Sequence, residues 1–149
     1  MSITRSTASL LFLSLAGCVH RSPDEAVLAP LVAQFTQEPV DQSKQPEYLT
    51  FGDDLTASVF KSLRQNPRYR VLPSGKPFVC PSDAATCPKP YALRARVNSI
   101  IGDTAIATIE RTRVDGGQPI SYGEQILLVR RNGRWKVERV IGGTATMSM

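Results

Sequence analysis

Little in this chain is of a type that does chemistry unaided. Its 149 residues hold one histidine and three cysteines, too few ligands and nucleophiles for a zinc centre of Cys/His type or a Cys/His catalytic pair. His20 stands two residues from Cys18 and reads as an exposed tether residue, not a base. The chain holds no phosphate-binding glycine loop, no metal-ligand spacing, no repeat, and no aromatic-basic interleaving suited to single-stranded nucleic acid. Chemistry must therefore come from carboxylates and guanidiniums arrayed by a β-sheet. Gly102-Asp103 signals a two-residue hairpin between residues 91–101 and 104–114, which pairs Ile101 with Thr104 and, if uninterrupted, Ala95 with Glu110.

That register puts Glu110 on the face of Leu93, Val97 and Ile106, where a carboxylate on an apolar concave surface is a candidate acid/base. The plainer expectation is that the register drifts by one residue, or that Glu110 ends the sheet and pairs with an arginine. The same register sets Arg94 opposite Arg111 with Arg96 and Arg113 beside them, four guanidiniums on one surface. Like charges opposite each other cost stability, so such a patch suits an anionic partner: phospholipid or lipopolysaccharide head groups, glycan carboxylates or an acidic protein. The plainer reading is a solvated face whose arginines pair with Glu110, Glu124 or Glu138.

The elements that must position these groups follow from periodicity. At 42% apolar, the chain can bury one modest core, and its formal net charge of +5 is a mild basic excess, not a nucleic-acid-binding composition. Ser22-Pro23-Asp24-Glu25 starts a helix, with an apolar stripe at Val27, Leu28, Leu31, Val32 and Phe35 that Pro30 kinks or splits. Residues 38–46 are polar and proline-bounded, hence a loop; a second helix spans 53–65 and stops at Asn66-Pro67. A short strand at 69–72 precedes a meander of strands at 91–101, 104–114, 122–131 and 134–141. Asn132-Gly133 is the strongest turn signal and sets Arg130 opposite Trp135 and Leu128 opposite Val137, with Trp135, Val137 and Ile141 inward. Trp135 then stacks under Arg130 or joins the core. Two helices followed by an antiparallel meander make an α+β domain with the helices on one sheet face.

The N-terminus reads as an address. Arg5 precedes an apolar run from Ala8 to Leu15, too short for a span, which takes roughly 20 apolar residues. Leu15-Ala16-Gly17-Cys18 resembles the lipobox of bacterial lipoproteins. The resemblance implies a signal peptide over 1–17 and an anchor and tether over 18–22, with diacylglycerol on the Cys18 thiol and an acyl chain such as palmitate on its amine. Val19 in place of aspartate implies sorting to the outer membrane, facing the periplasm. With Cys18 lipidated, Cys80 and Cys87 are an even pair in an exported chain and read as a disulfide, closing a loop worth roughly 2–3 kcal/mol. A redox-active pair is the alternative, but that chemistry favours two intervening residues at a helix start, and six stand here.

Helices followed by a meander that closes on the 128–137 hairpin are similar to the NTF2-like (SnoaL-like) fold, with cystatin-like meanders sharing that closing hairpin. The resemblance implies a single domain over 23–149: two N-terminal helices packed on a curved sheet with a conical pocket. The expected function is a non-enzymatic, lipid-anchored envelope protein that binds an anionic envelope component, a protein partner or a small ligand, with no cofactor or metal and no nucleic acid. The alternative is a small hydrolase or isomerase using a pocket carboxylate, with Glu110 as its acid/base.

Overall fold

Ser22 starts the first helix as its chemistry predicts. In the computed structural model, which describes residues 21–36, 46–73, 79–80, 89–115 and 118–147, α1 (Pro23–Leu28) opens with a complete capping box. The Ser22 hydroxyl accepts the Glu25 N–H at 3.2 Å, and the Glu25 carboxylate accepts the Ser22 N–H at 3.3 Å. Pro30 splits the apolar stripe as expected, and α2 (Leu31–Thr36) resumes it. Glu25 does a second job: its other carboxylate oxygen accepts the Ser58 hydroxyl at 2.6 Å, joining α1 to α3 (Asp54–Val59).

Six strands form one mixed sheet: β1 (Glu47–Phe51), β2 (Tyr69–Val71), β3 (Tyr91–Ile101), β4 (Thr104–Asp115), β5 (Gln118–Arg131) and β6 (Arg134–Met147). Their order is β2-β1-β3-β4-β5-β6. The α+β class is as expected, but the sheet is not a pure meander. β1, which the periodicity does not reveal, lies parallel to both β2 and β3. The predicted second helix is α3 followed by a tighter 3₁₀ turn at Lys61–Gln65. At the last hairpin the register is as predicted, Arg130 opposite Trp135 and Leu128 opposite Val137, and Asn132 and Gly133 hold the positive φ of 53° and 74° that such a turn needs. Trp135 does both things expected of it: it packs on the core and lies 5.5 Å under the Arg130 guanidinium.

Helix and sheet meet through Val27, Leu28, Leu31 and Phe35 on one side and Leu93, Ala95, Ala105, Ala107, Ile109, Ile126 and Leu128 on the other, all buried. The three alanines let the helices approach closely, and Phe35 meets Phe60 edge-on with ring centres 5.4 Å apart. Thr56 is the polar exception, fully buried at the α3–β3 contact. β1 stops pairing with β3 after Phe51 opposite Leu93, and Gly52 donates to the Leu93 carbonyl at 2.7 Å. Beyond that point the Thr56 hydroxyl stands in for the missing strand: it accepts the Ala95 N–H at 2.9 Å and donates to the Ala95 carbonyl at 3.4 Å. Asp53 holds Thr56 there by accepting its backbone N–H at 2.7 Å.

Replacing Thr56 with valine keeps the shape but orphans the Ala95 amide, so urea unfolding is expected to show a loss of about 1–3 kcal/mol, with most of it restored by Thr56→Ser. The Glu25 carboxyl is held below its ordinary value, first by the Ser58 hydroxyl and then by the Ser22 N–H. A depressed folded-state value means that its contribution is present above the ordinary carboxylate range and fades as pH falls through the folded value. Glu25→Gln is therefore expected to flatten the acid limb of the stability curve while lowering stability at pH 7, read from urea midpoints across the acid range.

Candidate functional site

The Gly102-Asp103 turn pairs Ile101 with Thr104 as predicted, but the register does not continue unbroken. Between Val97 opposite Ala107 and Ser99 opposite Ile106, Asn98 is an extra residue in β3, a β-bulge. Its side-chain amide donates to the Thr108 hydroxyl at 2.8 Å. From there on, every β3 residue meets the β4 residue one place earlier than the uninterrupted register would have it. Ala95 faces Ile109, Arg94 faces Glu110 and Leu93 faces Arg111.

This overturns the uninterrupted register, with the inward Glu110 and the shared arginine face that followed from it, and bears out the plainer expectation that the register drifts by one residue. Glu110 is not on the apolar inner face; it lies on the outer face opposite Arg94, an opposite-charge cross-strand arrangement. The four arginines do not share a surface either. Arg94 and Arg96 are on the outer face with Glu110, and Arg94 turns its guanidinium to the Gly52 carbonyl (3.4 Å) and the Asp53 carboxylate (3.7 Å). Arg111 and Arg113 are on the inner face. Two more bulges lie in β6, at Glu138 and Ile141, so that Val140 and not Ile141 comes opposite Ile126. Glu138 instead reaches Arg131 at 3.1 Å.

Of the inner-face arginines, Arg111 lines a cleft of about 490 Å³ beside α2. Ile109, Tyr91, Arg111, Tyr122, Glu124 and Val140 line it from the sheet, with Gln34 and Phe35 from α2. α2 is held in place from β2, where the buried Tyr69 hydroxyl donates to the Phe35 carbonyl at 3.3 Å. Phe35 in turn carries the Arg111 guanidinium, centred 4.7 Å from its ring. Arg113 stands behind Tyr91, 5.7 Å from its ring centre, and donates to its hydroxyl at 3.2 Å. The Arg113 Nε is buried with no hydrogen-bond partner among the described residues.

Among the described residues Arg111 makes no ion pair, although Glu124 lines the same cleft. Arg111 faces Tyr122 across β4 and β5, and Glu124 faces Ile109, so the two charges are diagonal neighbours. A half-buried guanidinium with no acid of its own is a fork of donors matched to a carboxylate or phosphate. Glu124 beside it can accept from an amine or hydroxyl. Among the described residues no cluster of three His, Cys, Asp or Glu side chains is arranged to hold a metal ion.

Sequence reasoning finds Arg111 and misses its neighbours. The signal for Glu124 is nonetheless there: Ile120, Tyr122, Glu124, Ile126 and Leu128 alternate along β5, and a carboxylate in that series is set inward. Tyr91 and Phe35 carry no such mark, because their part depends on where α2 ends over the sheet. Cys18 and His20 lie outside the described residues, as does Cys87; Cys80 is described and exposed. Comparison with family models, curated proteins and solved structures finds no match for the chain.

Deleting Asn98 closes the bulge and leaves Val97 opposite Ala107 and Ser99 opposite Ile106, so Ile109 stays inward and Glu110 outward; the expected cost in urea unfolding is about 0.5–1.5 kcal/mol, that of the lost bond to Thr108. Asn98→Ala, which keeps the residue and loses only the bond to Thr108, is expected to cost about 0.5–1.5 kcal/mol.

Proposed function

We propose that this is a lipid-anchored protein of the bacterial cell envelope whose NTF2-like domain binds a small ligand in the cleft through an oxyanion group of that ligand and does not transform it. The lipobox resemblance supports the anchor. A sheet with helices on one face and a cleft at their edge supports the NTF2-like reading. The observation that carries the binding function is Arg111: a guanidinium lining an open cleft, seated on Phe35 and paired with no carboxylate among the described residues. The catalytic alternative loses the residue proposed for it, because Glu110 lies on the other face of the sheet. In the exported protein Cys80 and Cys87 close a disulfide, and the lipid on Cys18 holds the domain at the outer membrane, facing the periplasm.

Two measurements test this. The wild-type chain is expected to sediment with membranes and incorporate a palmitate analogue, and Cys18→Ser to do neither and to return no titratable thiol without reductant. A photo-crosslinking residue substituted for Val140 in the cleft is expected to trap a ligand in growing cells that the same residue substituted for Arg96 on the outer face does not. Equal capture from both positions would remove the cleft from the reading.

A further inference from the structure

Resting on the reading of the cleft as a binding site, we propose that its ligand is a zwitterion: a small molecule carrying a carboxylate and a protonated amine on an apolar body, as an α-amino acid does. Among the described residues, the cleft has two charged side chains on its wall, and they are of opposite sign. Arg111 and Glu124 sit diagonally on adjacent strands, at a spacing from which long side chains can meet. They form no ion pair with each other, and neither has a hydrogen bond or ion pair with another described residue. The stacking of Arg111 on Phe35, at 4.7 Å, gives a physical reason, because it holds the guanidinium against the helix side of the cleft.

A simple anion at Arg111 would lie close to the Glu124 carboxylate and be repelled by it. A simple cation at Glu124 would meet Arg111 in the same way. A molecule with both charges satisfies both walls, its carboxylate taking the guanidinium fork and its amine donating to Glu124. The rest of the cleft accepts a hydrocarbon or ring body through Ile109, Tyr91, Tyr122 and Val140. Its volume, about 490 Å³, falls within the range of small-ligand pockets and leaves room for a body of aromatic amino-acid size.

The test uses three probes with one ring body and different charges: phenylalanine in both enantiomers, phenylacetate and phenethylamine. Each is titrated calorimetrically against the full chain bearing Cys18→Ser. Phenylalanine of at least one hand is expected to bind about ten-fold tighter or more than either single-charge probe. Arg111→Gln is expected to abolish that binding, and Glu124→Gln to bring phenylacetate level with phenylalanine or above it. Unchanged unfolding midpoints show that both variants are folded. Phenylacetate binding the wild type as tightly as phenylalanine, with Glu124→Gln changing nothing, overturns the zwitterion and leaves an anion site at Arg111. Failure of all three probes at millimolar concentration overturns the zwitterion; if the residue placed at Val140 also captures nothing, the cleft reading falls with it.

Discussion

One unpaired residue decides what faces what in this sheet. In an antiparallel pair side chains alternate with a period of two, so leaving Asn98 unpaired in β3, where pairing it would shift the register by one, decides which residues of β4 share a face with Leu93 and Ala95. With Asn98 paired, a carboxylate would lie in the core and Ile109 outside it. With Asn98 unpaired, Ala105, Ala107 and Ile109 line up under the helices, and the same parity carries Arg111 and Arg113 to the inner face. The hydrophobic pattern and the charge placement are thus one constraint: burying the apolar residues of β4 obliges the arginines that follow on alternate positions to point the same way.

The cleft exists because the helices are short and the strands are long. Among the described residues, α1 and α2 cover the sheet only as far as Phe35, whereas β4, β5 and β6 run for 12 to 14 residues and carry their inner face beyond it. Bulges at Glu138 and Ile141 in β6 add local twist near that uncovered end. What keeps the boundary sharp is polar: Thr56 completes the β3 backbone ladder from α3, and Tyr69 holds the last turn of α2 from β2. Both residues are buried, and both use their hydroxyl to satisfy backbone groups that would otherwise be orphaned or loose. Phe35, anchored in this way, links the core to the site by packing on Phe60 and seating Arg111.

Much of the fold was legible from local signals. The helix start at Ser22, its interruption at Pro30, the hairpins at Gly102-Asp103 and Asn132-Gly133 and the pairing of Arg130 with Trp135 all rest on residues within a few positions of one another. β1 was not legible, because its five residues give a short pattern and its pairing is parallel to strands distant in the chain. The candidate site was half legible. Arg111 and Arg113 stood out by charge, and Glu124 could have been read from the alternation of β5, but Tyr91 and Phe35 look like ordinary core aromatics.

The sequence by itself determined the α+β class, where the helices start and where the two hairpins turn, since capping and turn chemistry act over short stretches. The face of the sheet on which Glu110 and the arginines lie was decided by the tertiary structure. A bulge leaves no requirement in the chain beyond one ordinary residue, and Asn98 becomes the extra one only when the helices demand Ile109 and both alanines of β4 for the core. The same is true of the cleft. Arg111, Glu124, Tyr91 and Phe35 come from four separate elements, and only the end of α2 over a longer sheet makes them neighbours.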